Sequence, residues 1–108
     1  MKNDPSIWES PQAEQLITAF LSIDNPELMK AFLRDIMTEK EILELSNRLK
    51  AAQMLLTSQK YTEIAQTTGL SSRTIARIKD WIKQGNGGYK TVIDSLESHH
   101  GHMPPARD

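Results

Sequence analysis

Cysteine is absent from the 108-residue sequence, which excludes a disulfide framework and a zinc site built on thiolates. Aromatic residues make up only 6% of the chain, which leaves a single chain with a weak core. No apolar run approaches the roughly 18 residues that a membrane span needs, and residues 1–4 lack the basic and then apolar pattern of a signal peptide. We therefore expect a soluble cytoplasmic protein with one small domain and no membrane partner.

The charges nearly cancel overall, but they are unevenly distributed along the chain. There are 13 Lys and Arg residues and 14 Asp and Glu residues, for a formal net charge of −1. Residues 1–37 hold three basic and six acidic side chains, residues 38–90 hold nine and five, and residues 91–108 hold one and three. Only the middle segment has a positive excess. A surface that binds an anionic partner should therefore lie there.

Turn and capping residues divide the chain into short helices and indicate no sheet. Ser10-Pro11 and Asn25-Pro26 each place an N-cap residue before a proline at the first helical position. Thr38-Glu39-Lys40-Glu41 has the spacing of a capping box, and we expect it to open the longest helix, which runs to about Thr57. Two shorter helices and a last helix follow, separated by glycine-containing breaks. The pattern predicts an all-α protein of about six short helices.

The predicted domain boundaries follow from where the helical pattern begins and ends. We expect a flexible N-terminus at residues 1–9, a helical domain at residues 10–97 whose last helix covers about Tyr89 to Leu96, and a disordered tail at residues 98–108. The tail contains His99, His100 and His102, but it offers no folded second shell, and we assign no metal site. The domain has neither histidine nor cysteine, and the sequence predicts no catalytic site and no enzyme.

The segment from residue 61 to residue 80 has the pattern of a helix-turn-helix unit. Ala65 stands where the two helices would approach most closely, and Gly69 supplies the positive φ that a tight turn requires. Ser71 can cap the second helix. The inward positions are Ile64, Ala65, Leu70, Ile75 and Ile78.

The outward face of the second helix is polar and cationic at its start, as in a recognition helix that enters the major groove of double-stranded DNA. Arg73 could bind guanine through two hydrogen bonds, and the surrounding lysines could contact phosphates. Tyr61 either donates its hydroxyl to a phosphate or packs at the start of the unit. The predicted DNA-binding residues are Lys60, Thr62, Ser71, Ser72, Arg73, Thr74, Arg77, Lys79 and Lys83. The alternative is a helical protein-interaction or dimerisation module that does not bind DNA specifically.

Three motifs, taken together, resemble the Trp repressor family. They are Thr38-Glu39-Lys40-Glu41, Asn47-Arg48-Leu49 and Thr74-Ile75-Ala76-Arg77. The last motif continues as Ile78-Lys79, which is most similar to the Thr-Ile-x-Arg-Val-Lys run of the YerC/YecD-type branch. The resemblance covers about residues 14–97 and is strongest over residues 38–83. It implies a transcriptional repressor that forms an intertwined homodimer and binds a palindromic operator. Thin apolar stripes on short helices agree with such a dimer, because exchanged helices would enlarge a weak core.

The resemblance also implies a site for a small effector. The family holds its corepressor between two arginines, to which Arg48 and Arg77 correspond, and a third contact comes from the turn that contains Thr38. The family's glycine after the second arginine is Ile78 in this chain. Because Ile78 would fill the space of the indole, we expect no cofactor, and either no tryptophan binding or a different, smaller effector. Alternatively, the two arginines form an interhelical or phosphate-binding pair.

Overall fold

The computed structural model describes the backbone of residues 5–102 and the side chains of residues 6–98. This part of the chain contains six α-helices and no strand, which confirms the predicted all-α fold. The helices are α1 (Pro11–Leu21), α2 (Pro26–Ile36), α3 (Glu39–Leu56), α4 (Tyr61–Thr68), α5 (Ser72–Gln84) and α6 (Gly88–His102). A short 3-10 helix, Pro5–Glu9, precedes α1.

The first two helices begin at the predicted caps. The side chain of Ser10 accepts a hydrogen bond from the Ala13 amide at 3.2 Å. The side-chain oxygen of Asn25 likewise accepts from the Leu28 amide at 2.8 Å. Each bond satisfies one of the amides that a helix start leaves without an intrahelical partner, and a proline follows each cap.

The predicted capping box opens α3. The Thr38 amide donates to Oε1 of Glu41 at 2.9 Å, and the Glu41 amide donates to Oγ1 of Thr38 at 3.1 Å. No glycine or proline interrupts the following residues, and α3 is the longest helix, with 18 residues. Its end at Leu56 agrees with the predicted end near Thr57.

A left-handed serine terminates α3. Ser58 has a φ of +62°, and it is the only residue other than glycine with a positive φ in the described part of the chain. The Ser58 amide donates to the Leu55 carbonyl at 3.0 Å, and the Gln59 amide donates to the Met54 carbonyl at 3.0 Å. This pair of bonds is the Schellman motif, which satisfies carbonyls that the helix end would otherwise leave unpaired.

The chain falls into two units, with the boundary within α3. In the first unit, which extends to Leu45, Phe20 of α1 and Phe32 of α2 make an edge-to-face contact with ring centroids 5.5 Å apart. No residue of α1 or α2 is buried in the described chain. The first unit exposes the large aliphatic side chains Leu16, Ile17, Leu21, Leu28, Ile36, Leu43 and Leu45.

The second unit, from Ser46 onward, contains the core. Its buried side chains come from the second half of α3 and from α4, α5 and α6, and they are aliphatic or from methionine. They are Ala51, Ala52, Met54, Ile64, Ile75, Ile78 and Ile93. Tyr61 and Tyr89 pack against this cluster, so it holds α4 and α5 in place.

Both predicted boundaries of the domain shift in the structure. Residues 5–9, expected to be flexible, form the 3-10 helix, and residues 1–4 lie outside the described residues. The last helix was expected to end near Leu96, but α6 reaches His102 because neither glycine nor proline interrupts it before Gly101. Residues 98–102 therefore belong to α6. The rest of the predicted tail lies outside the described residues.

Candidate nucleic-acid interface

The turn between α4 and α5 has the predicted backbone geometry. Gly69 ends α4 with a φ of +76° and a ψ of 3°, and its amide donates to the Ala65 carbonyl at 2.8 Å. A Cβ added to Gly69 would meet no atom within 4 Å. The requirement for glycine therefore comes from the left-handed backbone and not from crowding.

A buried threonine closes the same turn. Thr68 is 6% exposed, and its hydroxyl donates to the Ile64 carbonyl at 2.8 Å. The same oxygen accepts from the Leu70 amide at 3.1 Å. The sequence pattern does not indicate this role, although threonine is one of the residues whose hydroxyl commonly bonds the backbone two residues ahead in turns.

Helix α5 begins at the predicted cap. The Ser71 side chain accepts from the Thr74 amide at 3.2 Å, and its hydroxyl donates to Oγ1 of Thr74 at 3.1 Å. The Ser71 side chain thus caps the start of α5. Thr74 itself is half-buried.

The two faces of α5 differ sharply. Ile75 and Ile78 are completely buried, whereas Arg73 and Arg77 are exposed on the opposite side. The other predicted contact residues, Lys60, Thr62, Ser72, Lys79 and Lys83, are also exposed. The structure places all nine predicted DNA-binding residues on α4, α5 and their caps, although their contacts with DNA stay a prediction.

Two exposed residues on the outward face of α5 are not among the predicted DNA-binding residues. Asp80 and Gln84 are exposed, and they share the helical face of Arg73 and Arg77 because they follow at intervals of three to four residues. Residues 60–84 hold five basic and two acidic side chains, a net charge of +3, and all seven are exposed. The helix-turn-helix therefore presents a predominantly cationic surface.

An aromatic ring lies beneath one of the predicted phosphate contacts. Nζ of Lys79 on α5 is 5.8 Å from the ring centroid of Tyr61, the first residue of α4. This distance is within the range of a cation–π interaction. Lys60, at the N-cap of α4, makes no side-chain capping bond, so the start of this helix differs from those of α1, α2 and α5.

The predicted effector residues occupy contrasting environments. Burial raises the pKa of Tyr89, and the positive charge of the half-buried Arg48 opposes part of this rise. Arg77 is exposed, and its neighbour Ile78 is completely buried in the core. Thr38 belongs to the other unit, and its amide and hydroxyl form the capping box. Binding of an effector by these residues stays a prediction.

Among the residues that the structure describes, no helix is both long and apolar enough to cross a membrane. The same part of the chain contains no group of three or more His, Cys, Asp or Glu side chains placed to hold a metal ion. The side chains of His99, His100 and His102 lie outside the described residues.

Comparisons with known proteins agree on one family. The sequence profile described as Trp repressor protein matches residues 11–97. The uncharacterized protein YerC of Bacillus subtilis (strain 168) is 34% identical over 86 residues, which cover 80% of this chain and 83% of YerC.

Solved structures share the fold as well as the sequence. The crystal structure of a TrpR-like protein from Eubacterium eligens ATCC 27750 superposes with a TM-score of 0.81 at 36% identity, covering 85% of this chain and 95% of that one. The crystal structure of a proposed Trp repressor from Staphylococcus aureus has the same TM-score at 30% identity. The match covers 88% of this chain and 95% of the other.

Proposed function

The chain belongs to the Trp repressor family, and from this membership we propose that it is a sequence-specific DNA-binding transcriptional regulator, acting as a repressor. The observation that carries the proposal is the two-sided recognition helix. Ile75 and Ile78 anchor α5 in the core, while Arg73 and Arg77 extend into solvent from the other side. A helix held in this way can enter a major groove without giving up its own packing.

In the proposed interface, different residues supply the affinity for DNA and the sequence specificity. Lys60, Lys79 and Lys83 contact phosphates and supply most of the binding free energy, with the salt dependence that follows from counterion release. Ser72, Arg73 and Thr74, in the first turn of α5, read base edges, and Arg73 forms two hydrogen bonds to a guanine. Thr62, Ser71 and Arg77 complete the predicted contact surface.

We further propose that the regulator is a homodimer. The first unit exposes aliphatic side chains on α1, α2 and the first half of α3, and Leu21 is 80% exposed. A second copy that covered these side chains would enlarge a core that the isolated chain confines to its second unit. Two copies of α5 could then enter successive major grooves about 34 Å apart on a palindromic site.

An effector, if one is bound, differs in shape from tryptophan. Ile78 is completely buried in the core, at the position where the family has the glycine that makes room for the corepressor. We propose that Arg48 and Arg77 bind a smaller anionic effector or none, and that Arg77 then serves DNA binding. We also propose that the protein acts in the cytoplasm without a catalytic activity.

Selection of binding sites from random double-stranded DNA tests the proposed function. The purified protein is incubated with random duplexes, bound duplexes are recovered, and their sequences are compared after several rounds. A recovered palindrome, together with a dimer mass by light scattering, supports the proposal. The absence of any enriched sequence contradicts it.

A protein-interaction module is the alternative, favoured by the exposed aliphatic side chains of the first unit. Binding to bulk duplex DNA at low and high salt separates the two functions. A regulator loses affinity steeply as salt rises, whereas an interaction module shows little affinity at either salt concentration.

A further inference from the structure

Lys79 and Tyr61 form a pair whose two members differ in burial. Tyr61 begins α4 and is half-buried, and it packs against the core of the second unit. Lys79 is exposed, and its ammonium group lies 5.8 Å from the centre of the Tyr61 ring. A ring that packs against the core therefore lies next to an exposed side chain that would otherwise sample many rotamers.

We propose that Tyr61 is a positioning residue for Lys79, and that its ring holds the ammonium group where α4 begins, ready to contact a DNA phosphate. The inference rests on the proposed function, because a phosphate contact requires that the protein bind duplex DNA. In this proposal Lys79 binds the sugar-phosphate backbone of DNA, and this contact carries no sequence information.

The physical advantage is preorganisation. A lysine that binds a phosphate loses rotamer freedom, and this loss weakens binding unless the free protein has already restricted the side chain. The Tyr61 ring restricts it without neutralising it, because the ring carries a quadrupole and no net charge. The full positive charge of Lys79 therefore stays available to the phosphate.

Lys83 provides an internal comparison. It lies one turn further along the same side of α5 and is also exposed, but no ring contact with it is found in the described chain. If the ring matters, a change at Tyr61 should alter the contribution of Lys79 and leave that of Lys83 unchanged.

A double-mutant cycle measured as affinity against salt concentration tests the inference. The full-length protein is titrated with its selected duplex as wild type, Tyr61→Leu, Lys79→Ala and the double variant. Lys79→Ala should flatten the logarithmic salt slope by about one unit. Tyr61→Leu should weaken binding about two- to fivefold, and it should have no further effect once Lys79 is alanine. In a Lys83→Ala background, the effect of Tyr61→Leu should remain complete.

Ring variants of matched size guard against misfolding of Tyr61→Leu. Tyr61→Phe keeps a ring face that attracts cations and should retain wild-type affinity. Pentafluorophenylalanine at position 61 keeps the size of the ring but removes the negative face, and it should weaken binding as Tyr61→Leu does. Circular dichroism and thermal unfolding check that each variant is folded.

Several results would overturn the inference. One is an equal loss of DNA affinity from Tyr61→Leu with and without Lys79. A second is tighter DNA binding by Tyr61→Leu, and a third is a loss of affinity in Tyr61→Phe as large as in Tyr61→Leu. The last result would assign the effect to the hydroxyl. If the wild-type protein binds no duplex in a salt-dependent way, the proposed function itself fails. If it binds but the ring variants do not differ from one another, only the positioning role fails.

Discussion

The hydroxyl of Thr68 accepts a hydrogen bond from the Leu70 amide at 3.1 Å, across the turn that joins α4 to α5. The same hydroxyl donates to the Ile64 carbonyl, one turn back in α4. Thr68 is buried, so its bond to Ile64 is shielded from water and its bond to the Leu70 amide is partly shielded. The turn between the two helices of the helix-turn-helix thus contains this side-chain bond as well as the left-handed Gly69.

Replacing Thr68 with valine should therefore destabilise the protein. Valine has nearly the same shape but leaves the Leu70 amide without its partner, which costs about 1–3 kcal/mol. The free energy of unfolding from urea denaturation measures the loss. Thr68→Ser keeps the hydroxyl, so its free energy of unfolding should fall less than that of Thr68→Val. An unfolding free energy in Thr68→Val equal to the wild-type value would show that the bond does not stabilise the turn.

Replacing Ser58 with glycine should stabilise the protein. Ser58 ends α3 with a φ of +62°, a conformation that costs an L-residue about 1–2 kcal/mol and glycine almost nothing. Since glycine also gains freedom in the unfolded chain, we expect a net gain of about 0.5–1 kcal/mol in unfolding free energy. Thr57→Gly, at the preceding position with a negative φ, is the matched control and should destabilise. A loss of stability in both variants would argue against strain at Ser58.

Replacing Arg73 with alanine should weaken binding to the selected duplex by about 1–3 kcal/mol and relax specificity at one base pair. The reason is the loss of the proposed pair of hydrogen bonds to guanine. Gel-shift titration of the selected site and of single-base variants measures both effects. Gln84→Ala, exposed on the same face at the end of α5, should bind as the wild type does. Unchanged affinity and specificity in Arg73→Ala would remove Arg73 from base reading.

Tyr89 should ionise at a higher pH than a free tyrosine, whose pKa is about 10. Burial raises the pKa of Tyr89, and the nearby charge of Arg48 opposes this rise. The Tyr61→Phe variant leaves Tyr89 as the remaining tyrosine, so tyrosinate absorbance follows it alone. Adding Arg48→Gln should move the midpoint higher still, because the opposing positive charge is lost. A midpoint at or below the free value would contradict the burial of the phenol.

The same raised pKa predicts how stability changes in alkaline solution. The unfolded chain releases the Tyr89 proton at a lower pH than the folded chain does. The contribution of the protonated Tyr89 to the free energy of unfolding is therefore fully present below the pKa of the unfolded chain. It is lost as pH rises through the folded pKa. Urea denaturation across this range should show a steeper alkaline loss of stability in the wild-type protein than in Tyr89→Phe. Equal losses would show that Tyr89 does not couple ionisation to folding.

Local features of the fold were predictable because they depend on residues within one helical turn of each other. The caps at Ser10 and Asn25, the capping box at Thr38 and the glycine turn at Gly69 all lie in the structure as the sequence indicated. The end of α6 was not predictable in the same way. No stop signal stands near Leu96, and composition alone suggested an early end there.

The sequence predicted which residues belong to the candidate site but not the contacts that hold them in place. The pattern of Ile75 and Ile78 indicated which side of α5 is buried, and therefore that Arg73 and Arg77 face outward. It did not indicate that the Thr68 hydroxyl is buried in the turn. Periodicity ranks positions by hydrophobicity, and a buried polar side chain with all its bonds satisfied is an exception to that ranking.

The sequence by itself determined the helices, their starts and the two faces of α5, because capping bonds and helical periodicity operate over three or four residues. Only the tertiary structure decided which ring lies beneath Lys79 and which phenol lies near Arg48. Tyr61 and Lys79 belong to different helices, as do Arg48 and Tyr89. Their proximity follows from how the helices pack around the shared core, and no local pattern encodes that packing.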